Sequence, residues 1–280
     1  MLEYYRLKQT TVIPWESGIH SVSVFRIAHP PSQIVLTAAY ANSSVIDHHS
    51  PMKQQYEVEF IEHQTGLDPT HSVIWLHGLG ADGHDFEPIV PQLAQGEAVR
   101  FVFPHAPMRP ITVNGGMVMR GWYDIADLPL DPKTASHEDR AGLEESAQRV
   151  RGLVEQERRR GIPPEKIFLA GFSQGGAVAL FLGLRFEEKL AGIVALSTYL
   201  PAYSCAETEF SAAGRATPVF MGHGTGDPLI PVHLGKLGAE LLSGLGYAVQ
   251  WHSYPMPHSV HPQEILDIAG FFKANMSSAG

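Results

Sequence analysis

The stretch Lys166-Ile167-Phe168-Leu169-Ala170-Gly171-Phe172-Ser173-Gln174-Gly175-Gly176 decides the fold of this 280-residue chain. An apolar, β-rich run ending at Ala170 leads into a G-x-S-x-G motif, and a helical pattern follows over Gln174–Leu190. A sharp turn from strand to helix strains the backbone of the serine and lifts its hydroxyl above the sheet, and only glycine fits at 171 and 175. The motif therefore predicts a nucleophilic Ser173, and the alternative is a serine that merely caps a helix.

The segments around this turn alternate between strand and helix patterns. Predicted strands cover Ser72–Leu76, Val99–Phe103, Lys166–Ala170, Gly192–Leu196, Pro218–Met221 and Ala248–Tyr254. Predicted helices cover about Phe86–Leu93, Asp139–Arg160, Gln174–Leu190, Val232–Leu245 and Gln263–Lys273. The clearest is the long helix that Gly161 and two prolines end. This alternation predicts an α/β fold, with a mostly parallel central sheet and helices on both faces.

Two residues downstream of Ser173 are suited to activate its hydroxyl, which is a weak nucleophile without a base and an acid. Asp227 follows the next-to-last predicted strand, and His258 follows the last one. Since the carboxyl ends of parallel strands share one edge of a sheet, the three side chains can converge. We predict Ser173 as nucleophile, His258 as base and Asp227 as its partner. His261 competes for the base role, although His261-Pro262 is typical of a helix start, and Asp227 could instead only stabilise a turn.

The tetrahedral intermediate of acyl transfer needs two fixed N–H donors. Gln174, directly after the nucleophile, supplies one, and the loop His77–Gly83 supplies Leu79 between two glycines as the second. The same loop matches the G-x-G-x-x-G pattern of dinucleotide-binding proteins. That pattern also requires an acidic residue at the end of the second strand, where Phe103-Pro104-His105 stands. The sequence therefore argues against nucleotide binding.

A long segment separates the second predicted strand from the helix that begins near Asp139. Connections of this length usually have a function. It contains Met108, Met117, Met119 and Trp122. They are candidates for an apolar groove that binds an acyl chain, because methionine adapts to varied shapes. The alternative is that they only pack the segment onto the body of the protein.

Composition limits the class of protein and its partners. An apolar fraction of 44% and a charged fraction of 18% are typical of a globular chain, and the net charge of −9 argues against nucleic acid as a partner. The single cysteine, Cys205, favours a reducing compartment and a cytoplasmic location. No apolar stretch reaches the roughly 18 residues of a membrane span, and no H-E-x-x-H or Cys/His ligand spacing predicts a metal. The oligomeric state is left open, with a homodimer among the alternatives.

Residues 1–51 differ from the rest of the chain. They hold six charged residues, three of each sign, and their apolar positions keep no steady period. We therefore expect a weakly ordered N-terminal extension, followed by a catalytic domain over 52–280. Ala39-Tyr40-Ala41 resembles a signal-cleavage site, but the apolar run before it is short and lacks a basic leader. Asp47-His48-His49 has no acidic cluster beside it, so no metal site is expected there.

Taken together, these residues resemble the phospholipase/carboxylesterase family of small α/β-hydrolases, which includes acyl-protein thioesterases and bacterial carboxylesterases. The matching segments lie within about residues 56–275 and are Leu76–Phe86, Phe103–Pro107, Trp122–Ile125, Gly171–Gly176, Gly224–Asp227 and Pro257-His258. The resemblance is strongest to the bacterial carboxylesterases and covers none of residues 1–51. It implies an α/β-hydrolase fold and a cofactor-free serine esterase for short to medium acyl esters, extending to thioesters or lysophospholipids. It implies the same three catalytic residues and supports Leu79 and Gln174 as donors.

Two other functions compete with an esterase that acts on a small-molecule acyl ester or another acylated substrate. One is a different hydrolase on the same fold, of the dienelactone or peptidase type. A cysteine nucleophile would favour the dienelactone type, and Ser173 occupies that place. The other is a non-catalytic binding protein on a retained scaffold, against which the complete set of three catalytic residues argues. Fold alone does not decide among them.

Overall fold

The computed structural model describes residues 57–126 and 138–277. Its strands are β1 Phe60–Gln64, β2 His71–Leu76, β3 Val99–Pro104, β4 Met108–Ile111, β5 Met117–Arg120, β6 Ile167–Phe172, β7 Gly192–Leu196, β8 Val219–Gly224 and β9 Val249–Tyr254. Its α-helices are α1 Val90–Ala94, α2 Arg140–Arg159, α3 Gln174–Gly183, α4 Ala206–Glu209, α5 Ala212–Arg215, α6 Val232–Gly244 and α7 Pro262–Ser277. The six predicted strands correspond to β2, β3, β6, β7, β8 and β9.

Seven of the strands form one sheet in the order β1-β3-β2-β6-β7-β8-β9. β1 runs antiparallel to β3, and every other neighbouring pair in this sheet is parallel. From β2 the chain passes to β3 on one side and then to β6 on the other, so the direction of winding reverses between β2 and β6. In open α/β sheets ligands bind beyond the carboxyl ends of the strands at such a reversal. The sheet confirms the α/β-hydrolase fold.

Alternate residues of the strands face two separate hydrophobic cores. On β2, Ile74 and Leu76 pack in one core together with apolar residues of α2, α3 and α6. Val73 and Trp75 pack in the other core with residues of α1 and α7. Because both faces of β2 are covered, all six of its residues are buried, which is the pattern expected of a parallel strand between two helical layers.

The long predicted helix is confirmed as α2. Its apolar residues Leu143, Ala147, Val150 and Val154 follow one another at spacings of three and four, and all are buried. The Asp139 side chain accepts a hydrogen bond from the Gly142 N–H at 2.9 Å and so caps the start of the helix. Gly161, with φ of 92°, ends it in the left-handed conformation that favours glycine.

Three features of the fold differ from the sequence prediction. The helix that follows Ser173 ends at Gly183 rather than near Leu190, because Leu184 O accepts from Ser211 N–H at 3.0 Å and the chain turns toward that segment. The helix predicted near Phe86–Leu93 is a 3₁₀ turn at Glu87–Ile89 followed by the short α1. β1, the antiparallel pair β4–β5 and the short helices α4 and α5 were not predicted.

The expected extension over residues 1–51, including Asp47-His48-His49, lies outside the described residues. Within 57–126 and 138–277, no helix combines the length and the apolar character that crossing a membrane requires. In the same ranges, His, Cys, Asp and Glu side chains form no group of three or more suited to hold a metal ion.

Candidate active site

Ser173 lies in the turn between β6 and α3 with φ of 55° and ψ of −121°, a conformation that costs energy for any residue other than glycine. The surroundings leave no room for side chains at the two motif glycines. A Cβ at Gly171 would lie 2.4 Å from Gly175 backbone atoms, and one at Gly175 would lie 2.3 Å from Leu76 O. The expectation that side chains at these two positions would collide with backbone is confirmed.

The Ser173 hydroxyl makes no capping hydrogen bond with α3. The alternative in which this serine only caps a helix therefore has no support from the geometry. The Ser173 N–H donates to Leu196 O at 2.8 Å, which ties the turn to the end of β7. Gln174 occupies the first position of α3, where backbone N–H groups have no intrahelical acceptor and the helix dipole is positive.

Asp227 and His258 come from the loops after β8 and β9 and form a hydrogen-bonded pair. His258 Nδ1 lies 2.7 Å from Asp227 Oδ2. The other carboxylate oxygen, Oδ1, accepts from the N–H groups of Leu229 and Ile230, each at 2.9 Å. Since Asp227 only accepts, Nδ1 of His258 carries the proton and Nε2 is left as a base. The His258 ring packs against Phe172, the neighbour of Ser173, with 4.7 Å between ring centroids.

His261, the competing histidine, begins α7. Its Nδ1 accepts from the Gln263 N–H at 3.1 Å, while its own N–H donates to Glu264 at 3.3 Å. This exchange is a capping arrangement in which histidine takes the usual place of serine or threonine. His261 thus has a helix-capping contact, whereas His258 has the carboxylate partner that a general base requires.

The loop after β2 approaches the nucleophile closely. A Cβ at Gly78 would lie 3.5 Å from the Ser173 Cβ. The Gly80 N–H donates to Arg120 O at 2.8 Å and the Ala81 N–H to Gly78 O at 3.3 Å. The N–H of Leu79, between these two glycines, takes no part in the bonds that hold the loop in the described structure. Leu79 and Gln174 therefore stay our candidates for the two donors to an oxyanion.

Gly83, the third glycine of the G-x-G-x-x-G pattern, has a packing role. A Cβ at Gly83 would lie 2.4 Å from Phe103 O, so this position requires glycine for the close approach of two backbones. The Gly83 N–H donates to His105 Nδ1 at 3.1 Å. The position where a dinucleotide-binding protein carries its acidic residue is thus held by a histidine that supports the loop.

Trp122 is fully buried beneath the loop after β2. Its Nε1–H donates to His77 O at 2.9 Å, and its backbone N–H donates to Gln174 Oε1 at 2.7 Å. The Gln174 amide in turn donates to Tyr123 O at 2.6 Å. These bonds join the nucleophile turn, the Leu79 loop and the segment around 122. We infer that Trp122 positions the loop after β2. The proposed groove for an acyl chain then consists of the three methionines.

The three methionines lie on the β4–β5 hairpin. Met108 is 59% exposed and Met117 63% exposed. Met119 is partly buried, and a Cβ at Gly80 would lie 3.8 Å from its sulfur. Of the three, Met119 is therefore the methionine that lies beside the Leu79 loop.

Sequence analysis missed three buried polar residues near the site, namely His77, His223 and Glu264. His77 accepts from the Ala106 N–H through Nε2 at 3.0 Å, so its Nδ1–H donates to Gly78 O at 2.7 Å. Burial lowers the pKa of His77 to about 4, which keeps it neutral. One signal was available: His77-Gly78 and His223-Gly224 are both His-Gly pairs at the end of a parallel strand. Glu264 gave no such signal.

The arrangement supports acyl transfer through a serine. It combines a strained, uncapped serine, a histidine bonded to a buried carboxylate, and a glycine-bounded loop in which a Cβ added at Gly78 would lie 3.5 Å from the serine Cβ. In this structure Asp227 is the hydrogen-bond partner of the His258 ring among the described residues. No hydrogen bond joins His258 Nε2 to Ser173 Oγ among the described residues. Hydrogen bonds between a base and its nucleophile often form only in the substrate complex.

Comparison with known proteins agrees with this chemistry. A family model described as phospholipase/carboxylesterase matches residues 57–276. Acyl-protein thioesterase 1 of Gibberella zeae is 43% identical over 214 residues, which cover 74% of this chain and 91% of the relative. The corresponding protein of Cryptococcus neoformans var. neoformans serotype D is 40% identical over 215 residues, covering 71% and 90%.

Solved structures give the same picture. The crystal structure of Arabidopsis thaliana SOBER1 superposes with a TM-score of 0.69 at 32% identity, covering 74% of this chain and 99% of the other. That of Zea mays acyl-protein thioesterase 2 has a TM-score of 0.67 at 26% identity, covering 77% and 98%. The match thus extends over nearly the whole of both solved chains.

Proposed function

The chain belongs to the phospholipase/carboxylesterase family of α/β-hydrolases, and we propose that it cleaves carboxylic esters and thioesters through an acyl-enzyme on Ser173. The single observation that carries this proposal is the 2.7 Å contact between His258 Nδ1 and Asp227 Oδ2, next to the strained Ser173. A serine hydrolase needs this pair to make the hydroxyl nucleophilic. No step requires a cofactor or a metal.

In the first half of the proposed reaction, Ser173 Oγ attacks the acyl carbon and its proton passes to His258 Nε2. Asp227 stabilises the imidazolium that forms, and the N–H groups of Leu79 and Gln174 stabilise the oxyanion. His258 then gives its proton to the leaving alcohol or thiol as the carbon–oxygen or carbon–sulfur bond breaks. In the second half, water attacks the acyl-enzyme through the same groups, releasing the acid and restoring Ser173.

The hairpin β4–β5 is the proposed binding region for the acyl chain. Met108 and Met117 are exposed, and Met119 lies beside the Leu79 loop. A flexible thioether contacts chains of different lengths without fixing one. We therefore propose short to medium acyl chains of varied length, with chain length read by the hairpin rather than by the catalytic residues.

The test is a rate profile on nitrophenyl esters of increasing acyl length, measured beside an acyl thioester of matched length. We expect turnover on both leaving groups and a decrease of about 10⁴-fold or more for Ser173→Ala, by analogy with serine triads in general. The substitution removes one oxygen, so the melting temperature should not change. Wild-type turnover by a folded Ser173→Ala protein would refute the mechanism.

A second candidate, an acyl-protein thioesterase, is favoured by the names of the curated relatives. A substrate joined to a protein needs access from solvent, and the exposure of Met108 and Met117 is consistent with it. An S-acylated peptide should then be hydrolysed with a higher kcat/KM than a nitrophenyl ester of the same acyl chain. A ratio below one would favour the small-molecule esterase.

Domain organisation, location and partners of the chain are also proposals. We propose residues 1–51 as an extension outside the catalytic domain of residues 52–280, because their apolar positions keep no steady period. We propose a cytoplasmic location because of the single cysteine, and no nucleic-acid partner because of the net charge of −9. We assign no oligomeric state, and a homodimer is one of the alternatives. Light scattering of the purified chain tests the oligomeric state, and a chain beginning at Met52 tests the extension.

A further inference from the structure

His223 is a buried histidine that the proposed reaction does not use. It lies at the carboxyl end of β8, four residues before Asp227, and only 1% of it is exposed. A buried histidine must have partners for its ring nitrogens or pay a desolvation cost. The question is what this ring does so close to the catalytic acid.

The hydrogen bonds of Ile230 connect His223 to the acid. His223 Nε2 lies 2.8 Å from Ile230 O, and since a carbonyl only accepts, the proton is on Nε2. The Ile230 N–H donates to Asp227 Oδ1 at 2.9 Å. His223 and Asp227 thus bind opposite groups of the same residue. His223 Nε2 also lies 3.6 Å from Asp227 Oδ2, the oxygen that contacts His258.

The surroundings fix the ring in this position. On the side of α6, a Cβ at Gly235 would lie 2.5 Å from His223 Nδ1, so the helix backbone packs directly against the ring. On the side of β9, Trp251 lies with its ring centroid 6.1 Å away. The ionisable groups that act on His223 are Asp227 and His258. Burial, the largest effect, lowers the pKa of His223 and keeps the ring neutral at neutral pH.

We propose that His223 is a positioning residue, whose Nε2–H holds Ile230 and thereby aims Asp227 Oδ2 at His258. The proposal rests on the proposed function, because it assigns the loop that presents the acid of that reaction. Without this donor, Ile230 O loses its partner and the loop 227–230 is free to turn. Asp227 would then accept from Leu229 and Ile230 in other geometries, and its contact with His258 would lengthen.

Neutrality of His223 matters as much as its hydrogen bond. During acyl transfer His258 becomes positively charged, and Asp227 is its counterion. A second cation 3.6 Å from Asp227 Oδ2 would compete for the same carboxylate. A buried, neutral ring supplies an N–H dipole without that competition.

Two substitutions that differ by one methylene distinguish the loss of the N–H donor from the loss of the imidazole ring. In His223→Gln the side-chain amide nitrogen reaches about the place of Nε2 and can still donate to Ile230 O. In His223→Asn the amide nitrogen lies near the place of Nδ1 and faces Gly235 instead. His71→Asn is the matched control. His71 is also buried, but it lies at the amino end of β2, whereas His223 lies near the carboxyl end of β8.

The readouts are kcat, KM and the pH profile of kcat/KM on a nitrophenyl ester, each with a thermal melt. We expect His223→Gln to keep kcat within about threefold, and His223→Asn to lose about tenfold or more in kcat with little change in KM, as one misplaced hydrogen bond predicts. In His223→Asn the acid limb should move to lower pH, because an imidazolium with a weaker Asp227 contact is deprotonated more easily. His71→Asn should leave all three kinetic readouts unchanged.

Two outcomes would overturn the proposal. One is a folded His223→Asn enzyme with wild-type kcat and an unshifted acid limb. The other is a folded His223→Gln enzyme whose kcat is lower by tenfold or more, because the effect would then come from the ring and not from the donor. If His223→Asn does not fold, the kcat of His223→Gln alone decides. The low-field proton resonance of His258 Nδ1–H, measured without substrate, tests the positioning role of His223 separately from the proposed esterase function. It should persist in His223→Gln and weaken in His223→Asn even if the wild-type protein hydrolysed no ester.

Discussion

The two regions that would contact a substrate are built differently. The catalytic edge consists of the loops 77–83, 171–175, 224–230 and 255–261. Buried side chains such as His77, Gln174 and Asp227 hold it by accepting hydrogen bonds from backbone N–H groups. The hairpin β4–β5 instead exposes more than half of Met108, Met117 and Val118. One region is fixed by directional contacts, and the other offers apolar surface without a fixed partner.

This difference separates two tasks of a hydrolase. Donors and bases must be held within a fraction of an ångström, since misplaced groups lose most of their effect. Binding of an acyl chain follows buried apolar area, which tolerates changes in shape. We therefore expect substitutions on the catalytic edge to lower turnover for every substrate, and substitutions on the hairpin to act according to chain length.

The largest expected effect is at the base. His258→Ala should lower kcat by about 10⁴-fold or more, because it removes the proton acceptor of the proposed triad. His261→Ala should leave kcat unchanged and cost about 1 kcal/mol of stability, because the His261 side chain caps α7 through Nδ1. Matched kinetics and melts of the two variants check this. If the pattern were reversed, the base would be His261.

The next effect concerns stability rather than turnover. Glu264 lies fully buried at the start of α7, and burial raises the pKa of its carboxyl from 4.5 to about 7. A Cβ at Gly222 would lie 2.2 Å from Glu264 Oε1, an oxygen without a hydrogen-bond partner in the described structure. The folded state therefore favours the neutral acid more strongly than the unfolded chain does.

The sign of the pH effect follows from that difference. Stability from the neutral Glu264 is fully present below pH 4.5 and is lost as the pH rises through about 7, a change of about 3 kcal/mol. Glu264→Gln keeps an acceptor for the His261 N–H and should remove this loss. Urea unfolding at pH 4.5 and pH 8 checks it. Equal pH dependence of the two proteins would show that Glu264 ionises as easily when folded as when unfolded.

How much the sequence predicts differs between these regions for physical reasons. Ser173 and its glycines form a local pattern whose steric demands fall within five residues, and His258 and Asp227 follow from strand order. β1 is a half-buried edge strand whose partner β3 is distant in sequence. The hairpin turns through Gly115 and Gly116, both at positive φ, and Pro110 obscures its strand pattern. Burial of Trp122 depends on tertiary contacts that no local pattern shows.

A smaller effect is expected at Gln174, where the side chain and the backbone have separate tasks. Gln174→Ala keeps the backbone N–H that we assign to the oxyanion but leaves Trp122 N–H and Tyr123 O without their partner. Each unpaired buried group costs about 1–3 kcal/mol of stability. We expect kcat to decrease by about 10- to 100-fold with KM nearly constant, because the donor is displaced rather than removed.

The control for Gln174 is another alanine substitution that removes a side-chain contact away from the nucleophile. Asn275→Ala removes a donor to Phe271 O near the end of α7 and should change stability slightly without changing kcat. If Gln174→Ala lowered stability as expected but left kcat at the wild-type value, the catalytic edge would tolerate looser contacts than its hydrogen bonds indicate.

The smallest effect is expected on the hairpin, and it should depend on the substrate. Met108→Ser and Met117→Ser each remove exposed apolar surface that an acyl chain would cover, which is worth about 1 kcal/mol, or about fivefold in kcat/KM, for an octanoyl ester. An acetyl ester is too short to reach them and should be unaffected. Leu67→Ser, at a residue that is 93% exposed in the turn between β1 and β2, is the matched control and should change neither rate. Equal decreases for both esters would mean that the hairpin acts through Met119 and Gly80 on the Leu79 loop. The two regions would then be one mechanical unit, and the proposed separation of chemistry from chain-length selection would be wrong.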